Sequence, residues 1–232
     1  MRDEAHGAPM EFMKWETWTQ AINDLVDIPE PVHLCPHWLG EPTIHPEFNR
    51  FVEYAFARND KNKLFEEFKL HTNAVVFSET RSRLLLHLAN LKNQSPETFR
   101  FIHFSIDAHS SDVYKVVKGA DRQEQVYKNI KRFIELRTEL KYEYPFVTIA
   151  YVVQPENAHE AEDFLKHWSS AFRDAGCEVQ VTTDWPSATR DTIYFRRLNC
   201  GDQAKADLLH QNVAQKLGII HANQPIRSLE SF

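Results

Sequence analysis

The chain has 232 residues, 42% of them hydrophobic, with a formal charge of −6. That length fills one α/β domain or two small ones. Acids outnumber bases 33 to 27, which excludes a general nucleic-acid binder, because phosphate neutralisation needs a dense Lys and Arg surface. No apolar run reaches the roughly 20 residues that span a bilayer, and Met1-Arg2-Asp3-Glu4 lacks the apolar core of a signal peptide. The expectation is a cytoplasmic protein without a membrane partner. Cys35, Cys177 and Cys200 are the three cysteines; odd in number and far apart, they read as reduced thiols rather than a disulfide framework.

In chain order, Trp15, Trp18, Ile22 and Leu25 recur at helical spacing until Pro29-Glu30-Pro31 stops the helix. A short strand, Val32 to Cys35, runs into Trp38-Leu39-Gly40-Glu41-Pro42, and Pro46 suits the first turn of a helix with an apolar face of Phe48, Phe51, Val52, Ala55 and Phe56. A strand around Glu67 to His71 ends at Thr72-Asn73-Ala74, a leucine-rich helix covers Arg83 to Leu91, and a strand runs from Phe101 to Asp107. Val126, Ile130, Phe133 and Leu140 mark the next helix, and Val147 to Val153 the next strand. Asn157 with Glu160 resembles a capping box ahead of the stripe Ala161, Phe164, Leu165, Trp168 and Phe172. Gly176 ends that helix and Glu178 to Thr183 reads as a strand. A last helix carries Leu208, Leu209, Val213 and Leu217 and ends at Gly218.

About five βα units therefore alternate, with short strands rich in Val, Ile and Phe, which predicts parallel strands and right-handed helical crossovers. A barrel and an open doubly wound sheet both satisfy this pattern. In either, functional residues gather at the C-terminal strand ends. That rule selects Gly40-Glu41-Pro42, Thr72-Asn73, Ser105-Ile106-Asp107, Gln154 to Asn157 and Thr183-Asp184.

These strand ends resemble the radical S-adenosylmethionine superfamily over nearly all of residues 10–185. Leu39-Gly40-Glu41-Pro42 is similar to the Gly-Glu-Pro segment that holds the cofactor's amino group, Thr72-Asn73-Ala74 to a Thr-Asn-Gly turn, and Ser105-Ile106-Asp107-Ala108 to a Ser-Ile-Asp-Gly turn that contacts the ribose and carboxylate. The resemblance implies a partial (β/α) barrel of parallel strands and a cofactor site at Gly40, Glu41, Pro42, Asn73, Ser105 and Asp107. Tyr114 to Ala120 and the helix with Asn129 also follow the family's pattern, with Lys115 and Lys118 where many members carry an arginine. Lysine offers a point charge instead of a planar fork.

Such an enzyme uses S-adenosylmethionine and a [4Fe–4S] cluster held by a C-x-x-x-C-x-x-C loop after the first strand. No such loop stands in this sequence. Met10 to Leu25 reads as the helix that follows it, so the first strand is expected to be missing too, and loss of an N-terminal segment is the simpler account. The complete form implied is an enzyme that cleaves S-adenosylmethionine to a 5′-deoxyadenosyl radical, served by an electron donor and acting on a peptide, sugar or small metabolite. The alternative is a non-catalytic barrel without a cluster, serving as a binding or regulatory subunit. The expected division is a barrel over 1–190 and a C-terminal extension of unknown role over 191–232.

Plainer roles exist for each residue. Gly40-Glu41-Pro42 and Asn73 suit ordinary turns, and Ser105, Asp107 and Asn157 suit caps. His33, Cys35 and His37 alternate on one strand face as possible metal ligands, with packing the stronger expectation. Cys200, in Asn199-Cys200-Gly201, has no cysteine after it with which to build an auxiliary cluster.

Overall fold

A computed structural model describes residues 11–37, 40–186 and 188–219. The elements are α1 (Trp15–Asp24), β1 (Val32–Leu34), α2 (Phe48–Asn62), β2 (Phe65–Phe68), β3 (Leu70–Thr72), α3 (Glu79–Ala89), β4 (Phe101–Ser105), α4 (Ser111–Lys118), α5 (Gln123–Glu139), β5 (Phe146–Val153), α6 (Ala161–Asp174), β6 (Val179–Thr182), β7 (Asp191–Arg197) and α7 (Gln203–Lys216). Local chemistry explains several ends. Ser78, Ser110 and Asp202 accept backbone N–H groups at the starts of α3, α4 and α7. Gly119 and Gly176 close α4 and α6 in the left-handed conformation.

Every strand pair is parallel. The order is β1-β2 in one sheet and β3-β4-β5-β7-β6 in the other. Only Lys69 separates β2 from β3, and its N–H still donates to Leu34 O at 2.9 Å. The two sheets are thus one curved wall in which β2 serves β1 and β3 serves β4, a partial barrel of the expected α/β class. Among the described residues no pairing closes it, and no helix is long and apolar enough to cross a membrane.

Several local expectations need correction. The strand expected around Glu67 to His71 is split at Lys69. Pro46 lies ahead of α2, and it is Pro42 that opens a short 3-10 turn, Pro42–Ile44. Asn157 and Glu160 do not form a capping box. Glu160 Oε2 instead accepts the N–H groups of His109 and Ser110 ahead of α4, at 2.9 and 3.1 Å. Two elements were not singled out at all: α4, and β7, which is an inner strand between β5 and β6.

The two faces of the wall differ in chemistry. Toward the helices, Ile102, Phe104, Ile149, Tyr151, Ile193 and Phe195 join Phe77, Phe133, Phe164 and Trp168 in the core, each large side chain gaining about 1.5–3 kcal/mol on burial. Alternation turns His71, His103, Ser105, Thr148, Ala150, Thr192, Tyr194 and Arg196 to the other, concave face. At the N-terminal end of the wall, Arg137 of α5 grips Asp191 at the start of β7: Nη1 donates to Oδ1 at 2.7 Å and Nη2 to Oδ2. Nη1 also reaches Pro145 O at 2.9 Å, and Val147 N donates to Asp191 Oδ1 at 2.7 Å. Both side chains are buried, so deleting one leaves the other charged and alone. Arg137→Ala and Asp191→Ala should each lower unfolding stability by about 3–5 kcal/mol in urea melts, and the double variant should lose less than their sum. Additive losses would mean that the two side chains act separately.

Candidate functional site

After β1 the chain turns back at Glu41, and this side chain binds the turn to its neighbour. Oε1 accepts Thr43 N at 3.0 Å, Thr72 Oγ1 at 2.7 Å and the Thr43 hydroxyl, while Oε2 accepts Asn73 N at 2.6 Å. Four donors meet the capacity of one carboxylate. Glu41 therefore straps the Gly40-Glu41-Pro42 loop to the end of β3, and its side chain has little left for a ligand. Asn73 Oδ1 accepts Val75 N at 3.0 Å, forming a local turn. The next residue, Ala74, adopts φ 58°, and Asn129 Nδ2 of α5 donates to its carbonyl at 2.8 Å.

Beyond β4, Asp107 takes φ 63°, a conformation that Asp tolerates better than most residues. Ala108 therefore needs no glycine. Asp107 is only 6% exposed. Its Oδ1 accepts Val152 N at 2.7 Å, and its Oδ2 accepts Ser105 Oγ at 3.1 Å together with Lys118 Nζ, which also donates to Ser105 Oγ at 2.9 Å. Buried Asn157 completes the knot, donating to Asp107 O at 2.7 Å and Val152 O at 2.8 Å and accepting Gln154 N at 2.9 Å. Its expected role as a helix cap gives way to that of a tie between loops.

The structure thus places Glu41 with Asn73, and Ser105 with Asp107, at the ends of adjacent parallel strands. Tyr114 of α4 is buried nearby: burial, then Asp107, then Glu41 push its hydroxyl pKa up to about 12. A cavity of about 580 Å³ adjoins Gly40, Glu41 and Pro42, walled by Phe12, Trp18 and Phe51 among others. Sequence reasoning marks Thr72 and Tyr114 only as parts of longer motifs, gives Thr43 no role, and does not distinguish Lys118 from Lys115. Their signal was positional: Tyr114 and Lys118 stand one helical turn apart and share a face.

The cysteines do not assemble. Cys35 follows β1 and Cys200 follows β7, whereas Cys177 precedes β6, at the opposite end of the wall, beside Arg137 Nη2 at 3.4 Å. His33 pairs with Glu66 at 2.9 Å, away from the Cys35 and His37 contact at 3.6 Å. Among the described residues no group of three His, Cys, Asp or Glu could hold a metal ion.

Two residues below the mouth, the concave face carries imidazoles. His71 and His103 stack at 4.5 Å between centroids, and His37 lies 5.0 Å from His71. Burial first, then His37, Lys69 and Arg196, depress His71 to about pKa 4; burial likewise holds His103 well below its usual value. The unfolded chain titrates near 6.5 and so takes up the proton first. Above that pH both states are neutral and His71 contributes nothing to the pH dependence, whereas stability falls as pH drops from about 6.5 toward 4. Thermal melts should record this loss, and His71→Gln should flatten the slope; identical slopes would rule out the assignment.

Comparison with family models gives one match, the Radical SAM superfamily, over residues 9–167. No curated protein matches the chain. The match takes in the strand ends that bear Glu41, Asn73, Ser105 and Asp107 as well as α4 with its Lys118, on an all-parallel α/β wall, and on this ground the chain belongs to the radical S-adenosylmethionine superfamily.

Proposed function

We propose that the mouth formed by Gly40, Glu41, Pro42, Asn73, Ser105 and Asp107 binds S-adenosylmethionine, and that the cluster ligands are not supplied by this chain. The carrying observation is Lys118. Its ammonium has three donors, of which Ser105 and Asp107 take two, and its side chain is 21% exposed. The remaining N–H suits a carboxylate, and the oxygens around Asp107 suit hydroxyls. These donors fit a ligand that combines an amino acid with a ribose.

The cluster is a different matter. It requires thiolates from one short loop, whereas Cys35, Cys177 and Cys200 stand at two ends of the wall and do not fit it. In this family S-adenosylmethionine supplies, on reductive cleavage, a 5′-deoxyadenosyl radical for hydrogen abstraction. This chain's part is to hold the amino-acid end through Lys118 and to keep the strand ends rigid through Glu41, Asp107 and Asn157. The substrate, a peptide, sugar or small metabolite, and an electron donor complete the proposal. The cysteine placement also favours a second reading, a non-catalytic binding barrel.

Equilibrium dialysis of the chain should show saturable S-adenosylmethionine binding, and Lys118→Met or Asp107→Asn should weaken it by about 1–3 kcal/mol, the range for a charged hydrogen bond. Anaerobic treatment with iron, sulfide and reductant should yield no stoichiometric [4Fe–4S] cluster and no 5′-deoxyadenosine, while a form carrying a native cysteine loop should yield both. Unchanged binding in both variants would remove the site assignment. If the cysteine-loop form binds but releases no 5′-deoxyadenosine, the non-catalytic reading stands instead.

A further inference from the structure

The segment 183–190 leaves the end of β6 and returns to the start of β7, and on its way it lays Trp185 against the concave face. The indole is nearly parallel to His103, at 14° and 6.0 Å between centroids, and to His71, at 29° and 6.2 Å; Tyr194 meets it edge-on at 5.8 Å. Three rings thus share one orientation while the indole stays 52% exposed. His103 is 5% exposed and its buried Nδ1 has no hydrogen-bond partner, which is costly unless something else supplies one. The ring nitrogens of His71 also make no hydrogen bond to a described residue.

Charge around these rings is uneven. Lys69 is engaged by Glu67 at 3.1 Å and Lys118 by Asp107. Arg196 makes no hydrogen bond or ion pair with a described residue, and its charge bears on His71, His103 and Tyr194. Asp184, the acid that also acts on Tyr194, sits on the crossover beside Trp185.

We propose that this face is a second binding site, one side-chain layer below the mouth, for a planar aromatic ring bearing an acidic group. The ring stacks on the exposed face of Trp185, parallel to His71 and His103, and the acid meets Arg196. Flat faces stack without regard to ring identity, and a guanidinium prefers a carboxylate. The inference rests on the cofactor reading only in naming this ligand a substrate.

Calorimetric titration of the chain with indole-3-carboxylate, cyclohexanecarboxylate and tryptamine tests it, together with NMR of the histidine ring protons. Indole-3-carboxylate should bind one to one and shift the His71 and His103 resonances, assigned with His71→Gln. The non-planar acid and the aromatic cation should each bind at least tenfold more weakly. Trp185→Ala should weaken the aromatic acid at least fivefold, and Arg196→Gln should do so while leaving tryptamine unchanged. Equal binding of cyclohexanecarboxylate, absence of histidine shifts, or indifference to both variants overturns the proposal. S-adenosylmethionine is titrated into the same samples: its failure to bind removes the cofactor reading alone, and its displacement of indole-3-carboxylate overturns the separate layer.

Discussion

A carboxylate buried at the start of β7 decides how the second half of the wall is assembled. Asp191 receives both arms of Arg137 and the amide of Val147, which fixes β7 beside β5 and under α5. A buried ion pair gains little net energy, because desolvation consumes much of the attraction; its worth lies in position. With β7 held there, β6 is left outside it although it comes earlier in the chain. The polypeptide must then cross between their opposite ends through 183–190, and that crossing brings Trp185 to the concave face. One buried contact at the bottom of the wall therefore governs what covers its middle.

At the top, two other carboxylates do comparable work. Glu41 and Asp107 each collect donors from a neighbouring strand or loop, so turns that would otherwise be mobile become fixed edges. Pre-organisation of this kind is what a binding site needs, because the cost of ordering it is met during folding and not during binding. It also explains why the Glu41 side chain is poorly suited to grip a ligand directly: its lone pairs are committed to Thr43, Thr72 and Asn73.

Much of this arrangement is legible in the sequence. Apolar alternation in Phe101 to Ser105 and Phe146 to Val153, and helical stripes such as Phe48 to Phe56, locate the main elements, and the polar residues at their ends mark the mouth. What escapes has physical causes. β7 reads as Asp-Thr-Ile-Tyr-Phe-Arg-Arg, with charges at both ends and only a short apolar centre, because its first residue pairs below the sheet, Arg196 faces inward and Arg197 pairs with Asp207 of α7. α4 is eight residues long, too short for periodicity to separate it from a loop, although Ser110 and Gly119 bracket it. Asn157 and Glu160 have the spacing of a capping box, yet each finds a better partner in another segment. Trp185 belongs to no repeating pattern, so only the three-dimensional path of the crossover reveals its neighbours.

The same burial produces opposite outcomes along one strand. Ser105 and His103 are two residues apart on β4, about 6.6 Å at the usual strand rise. Near Ser105, Lys118 and the Val152 amide fill the oxygens of Asp107. Around His103, burial first and then the neighbouring imidazoles and cations drive the ring neutral. A charge survives in a low dielectric only with partners, and a ring without them gives it up. The wall thus sets a densely hydrogen-bonded layer at its mouth above a layer of flat aromatic rings.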